Sequence, residues 1–316
     1  MVLNGGTMSW RTTTGRWRDW VWRGWRSRYA FLPGPEGEAG EGRTPVLLIH
    51  GFGASVGHWR HNMAAIAAQR PVYALDLVGF GASSKPPTGA YDAYFWADQV
   101  FEFWRQMLGR PVAIVGNSIG SLVALTAADR HPAMAAAVVA ISLPDPAARE
   151  DLIPKAVMPL VNAIERLVAA PWLLKTIFYG VRRPAVVRRW AGVAYCDRAA
   201  IDGDLVEILS APARDRGAAD AFAQIIRTMS SPRFGPKMRD LLPRLEIPVL
   251  ILWGDGDRMI PPQLAQQMGQ WSDRAEVRML PGLGHCPHDE APDQINPLLQ
   301  TWFAQLDSRD PSQITK

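Results

Sequence analysis

The feature that most narrows the fold is a pentapeptide in its setting. Gly116-Asn-Ser-Ile-Gly120 follows the apolar run Val112-Ala-Ile-Val115 and leads into the helix-forming stretch Ser121-Leu-Val-Ala-Leu-Thr-Ala-Ala128. G-x-S-x-G alone arises by chance in many chains. Between a strand and a helix it specifies a turn so sharp that only residues without bulk fit at 116 and 120. Such a turn pushes the oxygen of Ser118 clear of the sheet, at the positive end of a helix dipole. The plainer alternative is a serine that only caps the helix.

The rest of the chain supplies the sheet that this turn needs. Short apolar, β-rich runs recur at 45–49, 72–76, 112–115, 137–141, 249–252 and 276–280, with helix-like segments at about 59–69, 93–108, 119–130, 262–270 and 292–306. Runs this apolar are buried on both faces, and strands alternating with helices specify a mostly parallel sheet with helices on both sides. Right-handed crossovers follow as the default. Asp19–Arg23 and Arg26–Phe31 add a hairpin turned at Gly24, so the expected class is α/β with eight strands.

The alternation breaks between Leu143 and Leu245, where no strand is evident. Ile153, Val157, Leu160, Val161, Ile164, Leu167 and Val168 recur at helical spacing, and prolines at 144, 146, 154, 159, 171, 184 and 212 divide the stretch into short helices. We expect a core from 1–143 and 246–308, a helical cap or lid at 144–245 over the C-terminal edge of the sheet, and a loose tail at 309–316.

Composition bounds the partners. A chain that is 48% hydrophobic and 20% charged has a real core. The net charge of +4 is spread along the chain, and no nucleic-acid-binding motif accompanies it, so no nucleic-acid partner is expected. Cys196 and Cys286 form neither a disulfide framework nor a zinc-ligand pair. No secretory signal and no apolar run of about 18 residues is found, which implies a cytoplasmic or peripheral location. Between Trp10 and Tyr29, Arg11, Arg16, Arg18, Arg23, Arg26 and Arg28 interleave with Trp10, Trp17, Trp20, Trp22 and Trp25. This pattern suits either a peripheral contact with a lipid headgroup layer or the aromatic face of the hairpin, and the two are compatible.

An acyl-transfer serine needs a base, and the base needs an orienting carboxylate. Trp253-Gly-Asp-Gly-Asp257 follows one strand and Gly282-Leu-Gly-His285 follows the last, in the order nucleophile, acid, base. His285 is the expected base, because His50, His58, His61 and His131 precede or crowd the nucleophile in sequence. Asp257 is the expected acid, since a residue further along the loop can reach back to the histidine, whereas Asp255 sits in the tight turn. His288 reads as a cap residue or as part of a metal site with Cys286 and Asp289, but no second ligand cluster supports a metal, and no cofactor is expected. The backbone amides of Ile119 and Phe52, the latter in His50-Gly-Phe-Gly53, are the expected oxyanion donors.

His50-Gly-Phe-Gly-Ala-Ser-Val-Gly-His-Trp-Arg60, Val72-Tyr-Ala-Leu-Asp-Leu-Val-Gly-Phe-Gly81, the elbow and Gly284-His-Cys-Pro-His-Asp-Glu-Ala-Pro292 together resemble the α/β-hydrolase family across nearly the whole chain. Within it they look like the plant and cyanobacterial chlorophyll dephytylases, with pheophytinases close by. The resemblance implies an α/β-hydrolase fold and a serine esterase that cleaves the phytyl ester of chlorophyll- or pheophytin-like pigments to a chlorophyllide or pheophorbide and phytol. Carried over by position, its triad is Ser118, Asp257 and His285, and its location is a photosynthetic (thylakoid) membrane surface. There is no long transit peptide, which suits a bacterial origin, and Ser121 stands where many relatives have a glycine. A C20 prenyl chain needs a long apolar slot, for which Trp172, Leu173, Leu174, Ile177, Phe178 and Tyr179 are candidate lining; packing of the lid on the core is the plainer reading of each. Broad carboxylesterases, lipases, carbon–carbon bond hydrolases and perhydrolases use the same residues, and a non-catalytic pigment carrier would need none of them.

Overall fold

Eight strands form one sheet, in the spatial order β1 (Arg16–Trp22), β2 (Trp25–Leu32), β4 (Val72–Leu75), β3 (Val46–Ile49), β5 (Val112–Asn117), β6 (Ala135–Ile141), β7 (Val249–Gly254) and β8 (Ala275–Leu280). The computed structural model describes residues 10–37, 42–87, 91–148, 170–231 and 233–308. The periodic stretch 153–168, residues 38–41 and the tail at 309–316 lie outside the described residues.

β1 (Arg16–Trp22) and β2 (Trp25–Leu32) are a hairpin whose register pairs Trp22 with Trp25. The turn residues Arg23 and Gly24 both have left-handed φ, 49° and 82°, the twist that suits a two-residue hairpin. Period-2 alternation sends Trp20 and Trp22 inward, onto Phe103 at 5.5 Å and Phe95 at 5.0 Å, and leaves Val21 in solvent. These tryptophans are therefore core residues, while Arg16, Arg18, Arg23 and Arg26 of the hairpin are exposed.

β2 runs antiparallel to β4 (Val72–Leu75), and every later pairing is parallel: β3 (Val46–Ile49), β5 (Val112–Asn117), β6 (Ala135–Ile141), β7 (Val249–Gly254) and β8 (Ala275–Leu280). Alternate residues of each strand feed opposite cores. Leu47, Ile49 and Ile114 pack on one face with residues of two helices introduced below, such as Phe103 and Leu122. Val46, Leu48 and Val115 pack on the other with Met63, Ile66, Leu299 and Phe303.

The helices are α1 (Met63–Ala67), α2 (Ala93–Met107), α3 (Ile119–Arg130), α4 (Pro171–Val181), α5 (Pro184–Ala194), α6 (Gly203–Ser210), α7 (Ala218–Met229), α8 (Gln263–Gly269) and α9 (Pro292–Asp307), besides shorter turns. The helix expected over 59–69 is shorter than its pattern. A single 3-10 turn at Val56–Trp59 precedes α1, because buried Arg60 and Asn62 turn inward, the amide of Asn62 donating to His288 O (2.9 Å) and Asn296 Oδ1 (2.8 Å). Between β6 and β7 the described residues contain helices and no strand, with Pro171 and Pro184 opening α4 and α5 where a missing N–H costs nothing.

Candidate active site

Ser118 joins β5 to α3 at φ 54° and ψ −123°, a conformation strained by about 1–3 kcal/mol for a residue with a side chain. A Cβ at Gly116 would lie 2.3 Å from the backbone of Gly120, and one at Gly120 would lie 2.3 Å from Ile49 O. No rotamer relieves a clash with backbone, so the two glycines are sterically required. Ser121 is the third fixture. Its Oγ donates to Gly116 O (2.8 Å) and Ile141 O (2.9 Å), which ties the first turn of α3 to the strand ends.

The structure brings His285 and Asp257 together across two parallel strand ends, Nδ1 to Oδ2 at 2.8 Å, with both side chains buried. Oδ1 of Asp257 accepts from the amides of Met259 (2.8 Å) and Ile260 (3.0 Å). Burial pushes this carboxyl up, but the bonds from His285, Ile260 and Met259 prevail and hold it below the usual range. Asp255 is turned away and accepts from Gly282 N at 2.8 Å. The loop of His285 reaches the elbow directly, since Asn117 Nδ2 donates to His285 O at 3.1 Å.

The His50–Gly53 loop lies against the serine: a Cβ at Gly51 would meet Ser118 Cβ at 3.3 Å. Behind the loop, His50 Nδ1 donates to Gly51 O (2.8 Å) while its Nε2 accepts from Leu77 N (3.1 Å), which fixes one tautomer. Asp76, buried at the end of β4, accepts from Val56 N (2.6 Å) and Ala82 N (2.7 Å) and so anchors the next turn. Ile119 opens α3, so its amide, like that of Phe52 in the loop, is not committed to a helical carbonyl.

A strap at 192–197, spanning the last turn of α5 and the residues after it, has no counterpart in the sequence reading. His285 N donates to Ala194 O (2.6 Å), and Arg258 Nη2 donates to Gly192 O (2.8 Å) and Tyr195 O (2.6 Å). Glu290 accepts from Gly284 N (2.8 Å) and Asp197 N (2.6 Å). Buried Tyr195 donates to Asp289 Oδ2 (2.8 Å) and accepts from His58 Nε2 (2.8 Å). Burial holds His58 well below its ordinary value and raises Asp289 to about 6. These partners are far apart in sequence and share no short motif; the run of polar residues after His285 was the available signal.

His288 lies inside the short helical turn 287–290 rather than at its cap. Wholly buried, it packs on Trp59 (4.3 Å between centroids) and edge-on to His58 (4.7 Å), and burial lowers it to about 3. Among the described residues no group of three or more His, Cys, Asp or Glu is arranged to hold a metal ion.

The residues expected to line an apolar slot divide between two faces of α4. Leu174 and Phe178 are buried and Leu173 is half-buried, while Trp172, Ile177 and Tyr179 are exposed. Phe178 stacks on Phe222 of α7 (5.1 Å), Phe222 approaches Phe52 (6.2 Å), and Phe52 meets Phe80 (5.6 Å). An aromatic path thus runs from α4 to the loop beside Ser118.

The model for a family described as the Alpha/beta hydrolase family matches residues 46–298. A human (Lyso)-N-acylphosphatidylethanolamine lipase is 38% identical over 96 residues, 28% of this chain and 27% of its own length, so the matched part spans about a quarter of that relative. A chloroplastic pheophytinase from Arabidopsis thaliana is 24% identical over 309 residues, 83% of this chain and 62% of its own. Among solved structures, a membrane phospholipase A described as a bacterial virulence factor superposes with TM-score 0.75 at 26% identity, covering 95% of this chain and 89% of that one.

Proposed function

Because the chain belongs to the alpha/beta hydrolase family, we propose that it is a serine esterase and that its substrate is the phytyl ester of a chlorophyll-type pigment. The observations that support the chemistry are the strained elbow at Ser118, the hydrogen-bonded His285–Asp257 pair and the Asn117–His285 bond that joins the two loops. Ser118 Oγ attacks the ester carbonyl as its proton passes to Nε2 of His285. Asp257 keeps the other proton on Nδ1 and stabilises the imidazolium. The amides of Phe52 and Ile119 receive the negative charge on the carbonyl oxygen. The alcohol leaves with the proton from His285, and a water activated by the same nitrogen releases the acid from the acyl-enzyme.

The pigment ester draws its support from the pheophytinase likeness across 83% of the chain and from the aromatic path between α4 and Phe52. On this reading the described helices between β6 and β7 are part of a lid over the site. Likeness to lipases favours a second reading, a lipase acting on acyl esters, with the same triad. Purified protein assayed on chlorophyll a, pheophytin a, a phospholipid and p-nitrophenyl butyrate separates them: release of phytol supports the first, and activity confined to the last two removes it. Ser118→Ala is expected to lower kcat by at least about 10⁴-fold and to abolish fluorophosphonate labelling; wild-type rates in that variant end the assignment of the nucleophile.

A further inference from the structure

We propose that the outer face of α4 and α5 docks on an anionic lipid bilayer. Residues 171–194 contain Lys175, Arg182, Arg183, Arg188 and Arg189 and no acidic residue. Within the same stretch Trp172 is 70% exposed, Trp190 63%, Tyr179 52% and Ile177 40%. The pattern on α4 is two-faced. Phe178 packs on α7, with Leu174 one turn before it on the same buried face, while Trp172, Thr176 and Tyr179, at spacings of four and three, form the opposite stripe. Exposed aromatic side chains flanked by cations are what a headgroup layer of negative charge accepts, the rings entering the interface and the guanidinium groups meeting phosphates.

Among the described residues the local ion pairs offset one of these five charges. Lys175 pairs with Asp220 of α7 and Arg188 donates to Ile201 O, but Arg182 lies over the Tyr179 ring (4.6 Å), and Arg183 and Arg189 form no ion pair with a described residue. The N-terminal tryptophans are the other candidate and are unsuited, because Trp20 and Trp22 are spent on the core. Docking through the outer stripe of α4 sets its inner stripe, and the path Phe178–Phe222–Phe52, between the bilayer and the serine. An ester held in the membrane then has an apolar route to the site.

The test is co-sedimentation with vesicles of phosphatidylcholine alone and with 30% phosphatidylglycerol added, a composition of about one anionic lipid in three, at low and high salt. Wild type is expected to bind the anionic vesicles at low salt and to release at high salt. Trp190→Ser, at unchanged net charge, and Arg183→Ala/Arg189→Ala are each expected to bind on the order of 10-fold more weakly. Val21→Ser on the hairpin is the control and keeps wild-type binding. Hydrolysis of p-nitrophenyl butyrate, expected to be unchanged in all variants, reports folding independently. Absence of wild-type binding, wild-type binding in both cap variants, loss in the hairpin variant, or a wild-type dimer that the cap variants disrupt in its place overturns the docking face. A protein that binds vesicles and hydrolyses nothing leaves this face standing and removes the esterase reading instead.

Discussion

Asp257→Asn tests the role given to the acid, because the structure dictates which way the new side chain must point. Oδ1 accepts two backbone amides, from Met259 and Ile260, whereas Oδ2, among the described residues, accepts only from His285 Nδ1 at 2.8 Å. Asparagine keeps one acceptor. Turning it toward the imidazole would set an NH₂ against both amides and leave buried donors unpaired, at about 1–3 kcal/mol each. The oxygen therefore stays with the amides and the NH₂ faces His285. The ring must then accept at Nδ1, its proton moves to Nε2, and the nitrogen meant to deprotonate Ser118 is already protonated. With the imidazolium also deprived of its counter-charge, kcat is expected to fall about 10⁴-fold, or about 5.5 kcal/mol at 1.36 kcal/mol per decade. The assay is steady-state hydrolysis of p-nitrophenyl butyrate with fold checked by thermal unfolding, alongside ¹⁵N NMR of His285. A variant within tenfold of wild type, or one whose His285 keeps its proton on Nδ1, refutes the reasoning.

Two further perturbations probe the scaffold. His288 drops from 6.5 to about 3 on folding. Its contribution is thus fully present above pH 6.5 and is lost as the pH falls toward 3, because only the unfolded chain takes up the proton. At pH 5 the loss is about 2 kcal/mol, so urea unfolding of His288→Phe should show a correspondingly flatter decline between pH 7 and 5; equal slopes in both proteins would dismiss the effect. The comparison with the variant is needed because neighbouring Asp289, raised to about 6, titrates with the opposite sign in both. Gly120→Ala places a Cβ 2.3 Å from Ile49 O and 2.6 Å from His50 O, so a loss of about 3 kcal/mol or more is expected by chemical denaturation, and a midpoint unchanged from wild type would show that the elbow yields.

Sequence alone settled what depends on near neighbours. Apolar runs alternating with helical periods determined a mostly parallel sheet, and the two glycines around Ser118 determined the elbow, since a clash four residues away is written in those four residues. The eight strands, the hairpin at Gly24 and helices such as Ala93–Met107 and Ile119–Arg130 were legible for that reason. Residues that act across the fold were legible only where a strand end pointed to them. His285 and Asp257, 28 positions apart, meet because β7 and β8 lie side by side and deliver their following loops to one edge. The strap was invisible: Tyr195, Arg258 and Glu290 find partners 63 to 137 positions away, and no periodicity records such a pairing. Burial was likewise decided in three dimensions. The hairpin tryptophans, whose pattern suited either a headgroup layer or an aromatic face, are core at Trp20 and Trp22 and half-buried at Trp17 and Trp25, whereas Trp172 and Trp190 on α4 and α5 stand in water. A tryptophan beside an arginine is the same dipeptide in either place, and only the element packed against it determines whether its ring has solvent or another ring for a neighbour.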